Sequence, residues 1–241
     1  MQRNFGSRGR IGAVIPANNA TLEAELWPRL PSGVALYSTR ILARGDLTPE
    51  AVHAMEHHFD RAVEELVATG VDLVVYADMV TTFVMPPGWN AERAAAVSAR
   101  VGLPCTTAGL ALEAALQALS VQRIALGTPY PKGVHALARP WFEAAGYTVT
   151  ADATLDIVAM SDVPELPPQR LAEFVAGVPT DGADALVLLA TDLPTLDQLE
   201  ALEQSVGVPV VTSNQAILWH ALRSCGVRDN LPGLGRLLAE A

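Results

Sequence analysis

Val101-Gly-Leu-Pro-Cys-Thr-Thr107 and Val206-Gly-Val-Pro-Val-Val-Thr212 are two versions of one short sequence, and each leads into an Ala/Leu-rich stretch. A second pair of similar runs, 70–78 and 182–191, precedes them at the corresponding places. Landmarks that recur once, in the same order and about 100 residues apart, indicate a duplicated unit rather than a short-period repeat protein.

A third pair of apolar runs, 10–16 and 123–129, opens the two segments. Within each segment, short strand-like runs alternate with longer helical stretches, a pattern typical of parallel sheets covered by helices. The sequence therefore predicts an α/β fold of two similar lobes related by pseudo-twofold symmetry, each with a parallel sheet of about four strands. We assign residues 10–117 and 227–241 to the first lobe and 118–226 to the second, with the functional site in the cleft between them.

The clearest helical signal begins at Thr48-Pro-Glu50, where a capping threonine precedes a proline suited to the first helical position. The apolar residues that follow recur at helical spacing and predict one buried stripe. They are Val52, Met55, Phe59, Val63 and Leu66.

Composition excludes several classes of function. Half of the 241 residues are apolar and 17% are charged, and the net charge of -10 argues against non-specific nucleic-acid binding. No apolar run approaches the ~20 residues of a membrane span, so we expect a cytoplasmic protein. Two cysteines provide no disulfide framework and no metal-binding pair.

In parallel α/β sheets, ligands bind beyond the carboxyl ends of the strands. The residues that follow the predicted strands are rich in small polar donors, and only two of them are carboxylates. This composition suits an anion held by hydroxyl, amide and backbone N–H groups. The residues are Asn18, Asn19, Asp78 to Thr82, Thr106, Thr107, Thr128 to Tyr130, Thr191, Asp192, Ser213 and Asn214.

These strand ends resemble members of the aspartate/glutamate racemase superfamily. Pro16-Ala-Asn-Asn-Ala-Thr-Leu-Glu23, Thr128-Pro-Tyr130 and 213–222 resemble maleate isomerases, and 103–107 and 209–213 resemble arylmalonate decarboxylases. The resemblance spans almost the whole chain and implies a small carboxylate substrate. It implies substrate-binding roles for Asn19, Met79, Val80, Tyr130, Asp192, Ser213 and Asn214.

The resemblance also implies that both usual catalytic cysteines are replaced. Asp78 stands where the first is expected, in Tyr76-Ala-Asp78, and Thr191 stands at the second, with Asp192 as the alternative. A threonine cannot carry a proton near neutral pH unless another base activates it. Asp78 is then expected to be the only titratable group at the centre of the site, although it could instead cap a nearby helix.

The function predicted from these replacements is a cofactor-independent enzyme that forms a carbanion or enediolate on a small (di)carboxylate. Decarboxylation of a malonate-type acid, with Asp78 as proton donor, is the first expectation. The alternatives are a maleate isomerase-like isomerase or hydratase that uses Asp78 as base, and a non-catalytic dicarboxylate-binding protein.

No metal or other cofactor is expected. His53 and His57 lie one helical turn apart, but the sequence offers no third ligand beside them. Gly233-Leu-Gly235 is too short and too far from the first strand to bind a dinucleotide. A membrane or nucleic-acid partner is not expected, and the sequence is compatible with a homo-oligomer.

Overall fold

A computed structural model describes residues 3–43 and 46–241, in which the two halves of the chain fold alike. The first half contains β1 (Gly9–Pro16), α1 (Leu22–Leu26), β2 (Val34–Ile41), α2 (Pro49–Glu56), α3 (Phe59–Ala68), β3 (Leu73–Tyr76), α4 (Val80–Val84), α5 (Trp89–Val101), β4 (Cys105–Thr107) and α6 (Ala108–Ala118), with a 3-10 turn at Trp27–Arg29. The second half contains β5 (Arg123–Thr128), α7 (Lys132–Ala144), β6 (Thr148–Thr154), α8 (Pro168–Gly177), β7 (Ala185–Leu188), α9 (Leu199–Val206), β8 (Val210–Thr212), α10 (Ser213–Ser224) and α11 (Gly235–Glu240), with a 3-10 turn at Met160–Asp162.

Each half is built on a four-stranded parallel sheet. The strand orders are β2-β1-β3-β4 and β6-β5-β7-β8, so the same order appears twice. All six strand pairs are parallel. The predicted fold of two similar α/β lobes with four-stranded parallel sheets is confirmed.

The repeated threonines end their strands and cap the next helices. The Oγ1 atoms of Thr107 and Thr212 accept hydrogen bonds from the N–H groups of Leu110 and Gln215, each at 3.2 Å. Both threonines have extended backbone angles, as capping residues do. The capped helices α6 and α10 pack against each other and join the halves. The duplicated sequence therefore builds both the sheet edge and the contact between the halves.

The apolar stripe that was predicted to lie on one helix is divided between two helices, α2 and α3. Thr48 caps α2, since its Oγ1 accepts a hydrogen bond from the Ala51 N–H at 3.2 Å. The helix then stops, and α3 starts at Phe59 after a turn at 57–58. All five predicted stripe residues are buried. The break turns α2 towards the cleft while α3 covers the outer face of the first sheet.

The predicted assignment of residues 227–241 to the first lobe is wrong for α11, the helix within this segment. Helix α11 packs against α9, β8 and α10 of the second half. The Gln215 side chain donates to the Leu234 carbonyl at 2.8 Å, which anchors the segment there. Asp229 does reach the first half, where Arg8 donates to it at 2.8 Å.

The helices of the described residues are short. The longest, α5 and α7, have 13 residues each. None of the helices within 3–43 and 46–241 is both long and apolar enough to cross a membrane.

Candidate active site

A cleft, partly open to solvent, lies where strand-end residues of the two halves meet. Polar groups from both halves line it. They are Asn18, Asn19, Asp46 and Asp78 from the first half, and Tyr130, Thr191 and Asp192 from the second.

Asp78 follows β3 by two residues and is 8% exposed. Its Oδ2 atom accepts hydrogen bonds from the Thr81 N–H, at 3.0 Å, and from the Thr81 hydroxyl. Burial raises the pKa of Asp78 above its usual value, although these hydrogen bonds oppose the shift. Asp78 thus holds the start of the next helix and also presents a protonatable carboxyl group to the cleft.

Asp192 is a second carboxyl group in the same cleft, contributed by the other half. Desolvation, with a smaller effect from the charge of Asp78, raises the pKa of Asp192 to about 7. Such a group exchanges a proton readily near neutral pH. The expectation that Asp78 would be the only titratable group at the centre of the site is therefore wrong.

Asn19 and Thr191 join the two halves across the cleft. The Asn19 amide donates to Thr191 Oγ1 at 2.9 Å, while its Oδ1 accepts the Thr21 and Leu22 N–H groups, each at 3.0 Å. The amide of Asn19 has a second N–H, and the Thr191 hydroxyl keeps its own proton to donate. Both residues can therefore still provide one donor to a bound anion.

Tyr130 lines the cleft from the loop after β5 and is 3% exposed. Its ring packs edge-on against Phe83, with ring centroids 5.8 Å apart. Burial, followed by the nearby charges of Asp192 and Asp78, raises the pKa of Tyr130 well above 10. The phenol stays neutral at any physiological pH and can donate a hydrogen bond to a carboxylate.

Apolar side chains form one wall of the cleft, and Val80 is the one member of this wall that the sequence predicted. Val52 and Met55 project from α2, and Leu47, Val80 and Met160 complete this wall. The helical spacing of Val52 and Met55 predicted burial but not the side of the sheet on which they would lie. No local pattern marked Met160.

Strand register identifies the residue equivalent to Tyr76. Tyr76 pairs with Thr107 in the first sheet, and Leu188 pairs with Thr212 in the second. The two threonines are equivalent, so Leu188 corresponds to Tyr76. Beyond these strand ends the two turns differ in backbone conformation, and Thr191 rather than Ala190 lines the cleft together with Asp78.

Ala190 has a φ of 111°, a conformation that only glycine adopts readily. Its N–H donates to Ser213 Oγ at 3.1 Å, which helps hold this turn. Backbone strain of this kind is concentrated at functional sites. Here the turn carries Thr191 and Asp192 into the cleft wall.

Three of the predicted substrate-binding residues do not line the cleft. Met79 is buried in the hydrophobic core, and Ser213 and Asn214 lie behind the 190–192 turn. The Asn214 side chain donates to the Thr191 carbonyl at 3.0 Å, so it supports the site rather than facing a ligand. The other four, Asn19, Val80, Tyr130 and Asp192, do line the cleft.

Neither cysteine lines the cleft. Cys105 lies in β4 and Cys225 follows α10, and both are half-buried. Burial raises the pKa of Cys105 to about 12 and also raises the pKa of Cys225. Both thiols stay protonated at neutral pH, which makes them poor nucleophiles.

Among the described residues, no three His, Cys, Asp or Glu side chains converge as a metal site would require. His53 lies on α2, and His57 lies in the turn after it. Neither histidine lines the cleft.

A buried carboxylate that the sequence analysis missed supports the cleft from behind. Glu25 lies on α1 between the halves and is 8% exposed. It shares the buried face of α1 with Leu22 and Leu26, three residues before it and one after it. That spacing within an apolar face was the available signal.

The duplicated parallel sheets form two similar α/β lobes, and a cleft with two buried carboxyl groups, Asp78 and Asp192, lies between them. The model of the arylmalonate decarboxylase family matches residues 11–238, and the chain belongs to this family. The maleate isomerase of Nocardia farcinica is 29% identical over 241 residues, 96% of each protein. The arylmalonate decarboxylase of Bordetella bronchiseptica is 29% identical over 231 residues, 95% of this chain and 92% of that protein.

Solved structures agree with these matches. A mutant of the N. farcinica maleate cis-trans isomerase with a covalently bound succinylcysteine intermediate has a TM-score of 0.91 and 30% identity, over 97% of this chain and 99% of that one. A variant of the Pseudomonas putida S16 maleate isomerase with maleate has a TM-score of 0.92 and 27% identity, over 97% of this chain and 98% of that one. The resemblance to maleate isomerases and arylmalonate decarboxylases, and the prediction of a lyase or isomerase, are confirmed.

Proposed function

We propose that this protein is a decarboxylase of malonic acids that carry an apolar substituent at the central carbon. The observation behind the proposal is the make-up of the cleft, which is lined by two protonatable carboxyl groups, Asp78 and Asp192, and by an apolar wall. The polar part suits the two carboxylates of the substrate and the charge that develops between them. The apolar part suits the substituent.

One substrate carboxylate is held by neutral donors. Tyr130, Thr191 and Asn19 each have an N–H or O–H available at the polar end of the cleft. A hydrogen bond to a charged group contributes ~1.5–3 kcal/mol in such surroundings. Neutral donors also leave the pKa of the two aspartates high, whereas a lysine or arginine beside them would lower it.

The apolar wall supports both binding and bond cleavage. Leu47, Val52, Met55 and Met160 can bury a substituent the size of a side chain, worth ~1.5–3 kcal/mol. The second carboxylate of the substrate, packed against this wall, is poorly solvated. Its loss as neutral CO₂ removes a negative charge from apolar surroundings, which favours cleavage of the bond.

The reaction needs one proton. The bond between the central carbon and the departing carboxylate breaks, CO₂ leaves, and its bonding electrons spread from the central carbon into the remaining carboxylate. A protonated Asp78 then delivers a proton to the central carbon and recovers one from solvent. Protonated Asp192 donates a hydrogen bond to the developing negative oxygen, which stabilises the enediolate.

Isomerisation of a maleate-type acid is the second candidate, because maleate isomerases are the neighbours with TM-scores of 0.91 and 0.92. Covalent addition through a cysteine would need a thiol in the cleft, and neither cysteine lines it. An isomerase or hydratase would instead use Asp78 as base to activate water for addition to the double bond.

The experiment is to incubate the protein with phenylmalonate, butylmalonate, malonate and maleate, and to follow CO₂ release and products by NMR. Decarboxylation of the substituted malonates, lost in Asp78→Asn, is the expected result. Asp181→Asn, at an exposed carboxylate of the 179–182 loop, is the matched control and should keep full activity. Turnover of maleate alone would instead support the isomerase. A thermal shift with diacids but no turnover of any acid would reject catalysis.

A further inference from the structure

We propose that Glu25 is a positioning residue that holds the catalytic turn of the second half in place from the first half. The inference rests on the proposed function, because Asp192 on that turn takes its catalytic role from it. Glu25 does not line the cleft, so it acts through the residues that it binds.

Glu25 binds the far end of the segment that carries Thr191 and Asp192. Its Oε1 atom accepts the N–H groups of Thr195 and Leu196, at 2.6 and 2.7 Å. These N–H groups precede α9 and point into the junction between the halves, where a buried donor without a partner is costly. One carboxylate oxygen therefore satisfies two backbone donors from the other half.

The second oxygen reaches the near end of the same segment through Asn214. Glu25 Oε2 accepts from the Asn214 amide at 2.7 Å, and the same nitrogen donates to the Thr191 carbonyl at 3.0 Å. Thr21, one turn before Glu25, donates its hydroxyl to the Asp192 carbonyl at 2.7 Å. Helix α1 thus holds residues 191–196 at both ends.

This arrangement couples the closure of the halves to the geometry of the site. If the halves separate, the bonds from Glu25 and Thr21 break, and the turn that carries Asp192 is released. Water would then reach the Asp192 carboxyl, and the desolvation that raises its pKa would weaken. Asp78 and Tyr130 line the cleft with Asp192, and the exposed Asp46 lies at its rim. The charge of Arg29 acts on Glu25.

Glu203 provides a matched control within the same half as the turn. It is also 8% exposed, and its Oε1 also accepts backbone N–H groups, those of Val210 at 3.0 Å and Arg236 at 3.2 Å. These bonds hold β8 and α11 and make no contact with the 190–192 turn. A role limited to stability would make Glu25 and Glu203 behave alike.

The test compares Glu25→Gln with Glu203→Gln. A glutamine at position 25 keeps one oxygen that can accept from the N–H groups of Thr195 and Leu196. Its NH₂ group cannot accept a hydrogen bond from the Asn214 amide, so that bond is lost. Both variants should lose stability to urea. Only Glu25→Gln should lower kcat for the substituted malonate, ~10- to 100-fold with KM nearly unchanged, as expected for a displaced catalytic group.

The second readout does not depend on turnover. The Asp192 carboxyl, identified in ¹³C NMR spectra by its loss in Asp192→Asn, should titrate near 7 in the wild type and clearly lower in Glu25→Gln. Glu203→Gln should leave this midpoint in place. If Glu25→Gln does not fold, Thr21→Val, which removes only the hydroxyl bonded to the Asp192 carbonyl, should move the midpoint in the same direction.

An unchanged midpoint in the Glu25 or Thr21 variant would overturn the positioning role. An equal shift in Glu203→Gln would do the same, since it would show a general loosening. A wild type that turns over none of the acids would reject the proposed function alone, because the titration still measures whether Glu25 positions Asp192.

Discussion

Asp192→Asn should make the protein more stable at alkaline pH than the wild type. The folded protein raises the pKa of this carboxyl from an ordinary 3.8 to about 7, mainly by desolvation. Between these two values the folded state binds a proton that the unfolded state has lost. Stability from this group is therefore fully present below pH ~4, declines as the pH rises, and is gone above pH ~7.

The size of this stability difference follows from the change in the pKa of Asp192 on folding. About three pKa units at 1.36 kcal/mol each give an upper limit of ~4 kcal/mol. Asp192 keeps part of its surface in contact with solvent, so we expect about half of that, ~2 kcal/mol. Asparagine has nearly the same shape and does not titrate, and therefore removes this pH dependence without leaving a cavity.

The assay is urea unfolding of the wild type, Asp192→Asn and the control Asp181→Asn at half-unit steps from pH 4.5 to 8.5. Carboxyl groups outside the cleft titrate equally in all three proteins, so the informative quantity is the difference from wild type. That difference should increase by ~2 kcal/mol in favour of Asp192→Asn as the pH rises from 4.5 to about 7, level off above that, and stay flat throughout for the control. Parallel stability curves for Asp192→Asn and the wild type would refute the desolvated state of Asp192.

Three further outcomes follow from the cleft. Tyr130→Phe should weaken the binding of a diacid by ~1–3 kcal/mol with the fold intact, measured by calorimetry; unchanged affinity for several diacids would remove Tyr130 from the site. The double variant Cys105→Ala/Cys225→Ala should keep its turnover, since both thiols lie outside the cleft, and a large loss of kcat in the folded protein would contradict this. Asp78→Asn should lose ~10²–10⁴ in kcat, and Asp78→Cys should lose less because a thiol still titrates. Equal activity of Asp78→Asn and wild type would exclude Asp78 as the proton donor.

The local sequence was sufficient to predict the strands and helices and their repetition in the two halves. Parallel strands expose their carboxyl ends at one edge, so the residues that follow them could be chosen without knowing how the halves meet. Asp78, Asn19, Tyr130 and Thr191 were predicted in this way, and all four line the cleft. The threonine caps at the ends of β4 and β8 are local features as well, because a cap bonds to a group only three residues away.

What depends on contacts between distant residues could only come from the tertiary structure. The sequence placed Thr191 opposite Asp78, but it did not reveal that Asn19 of the first half donates a hydrogen bond to the Thr191 hydroxyl at 2.9 Å. The raised pKa of Asp192 and the hydrogen bonds of Glu25 were equally hidden, because both depend on groups more than a hundred residues away along the chain. Residue type and spacing determine which side chains a strand or helix presents. Desolvation and proximity, which determine their chemistry, arise only when the two halves pack together.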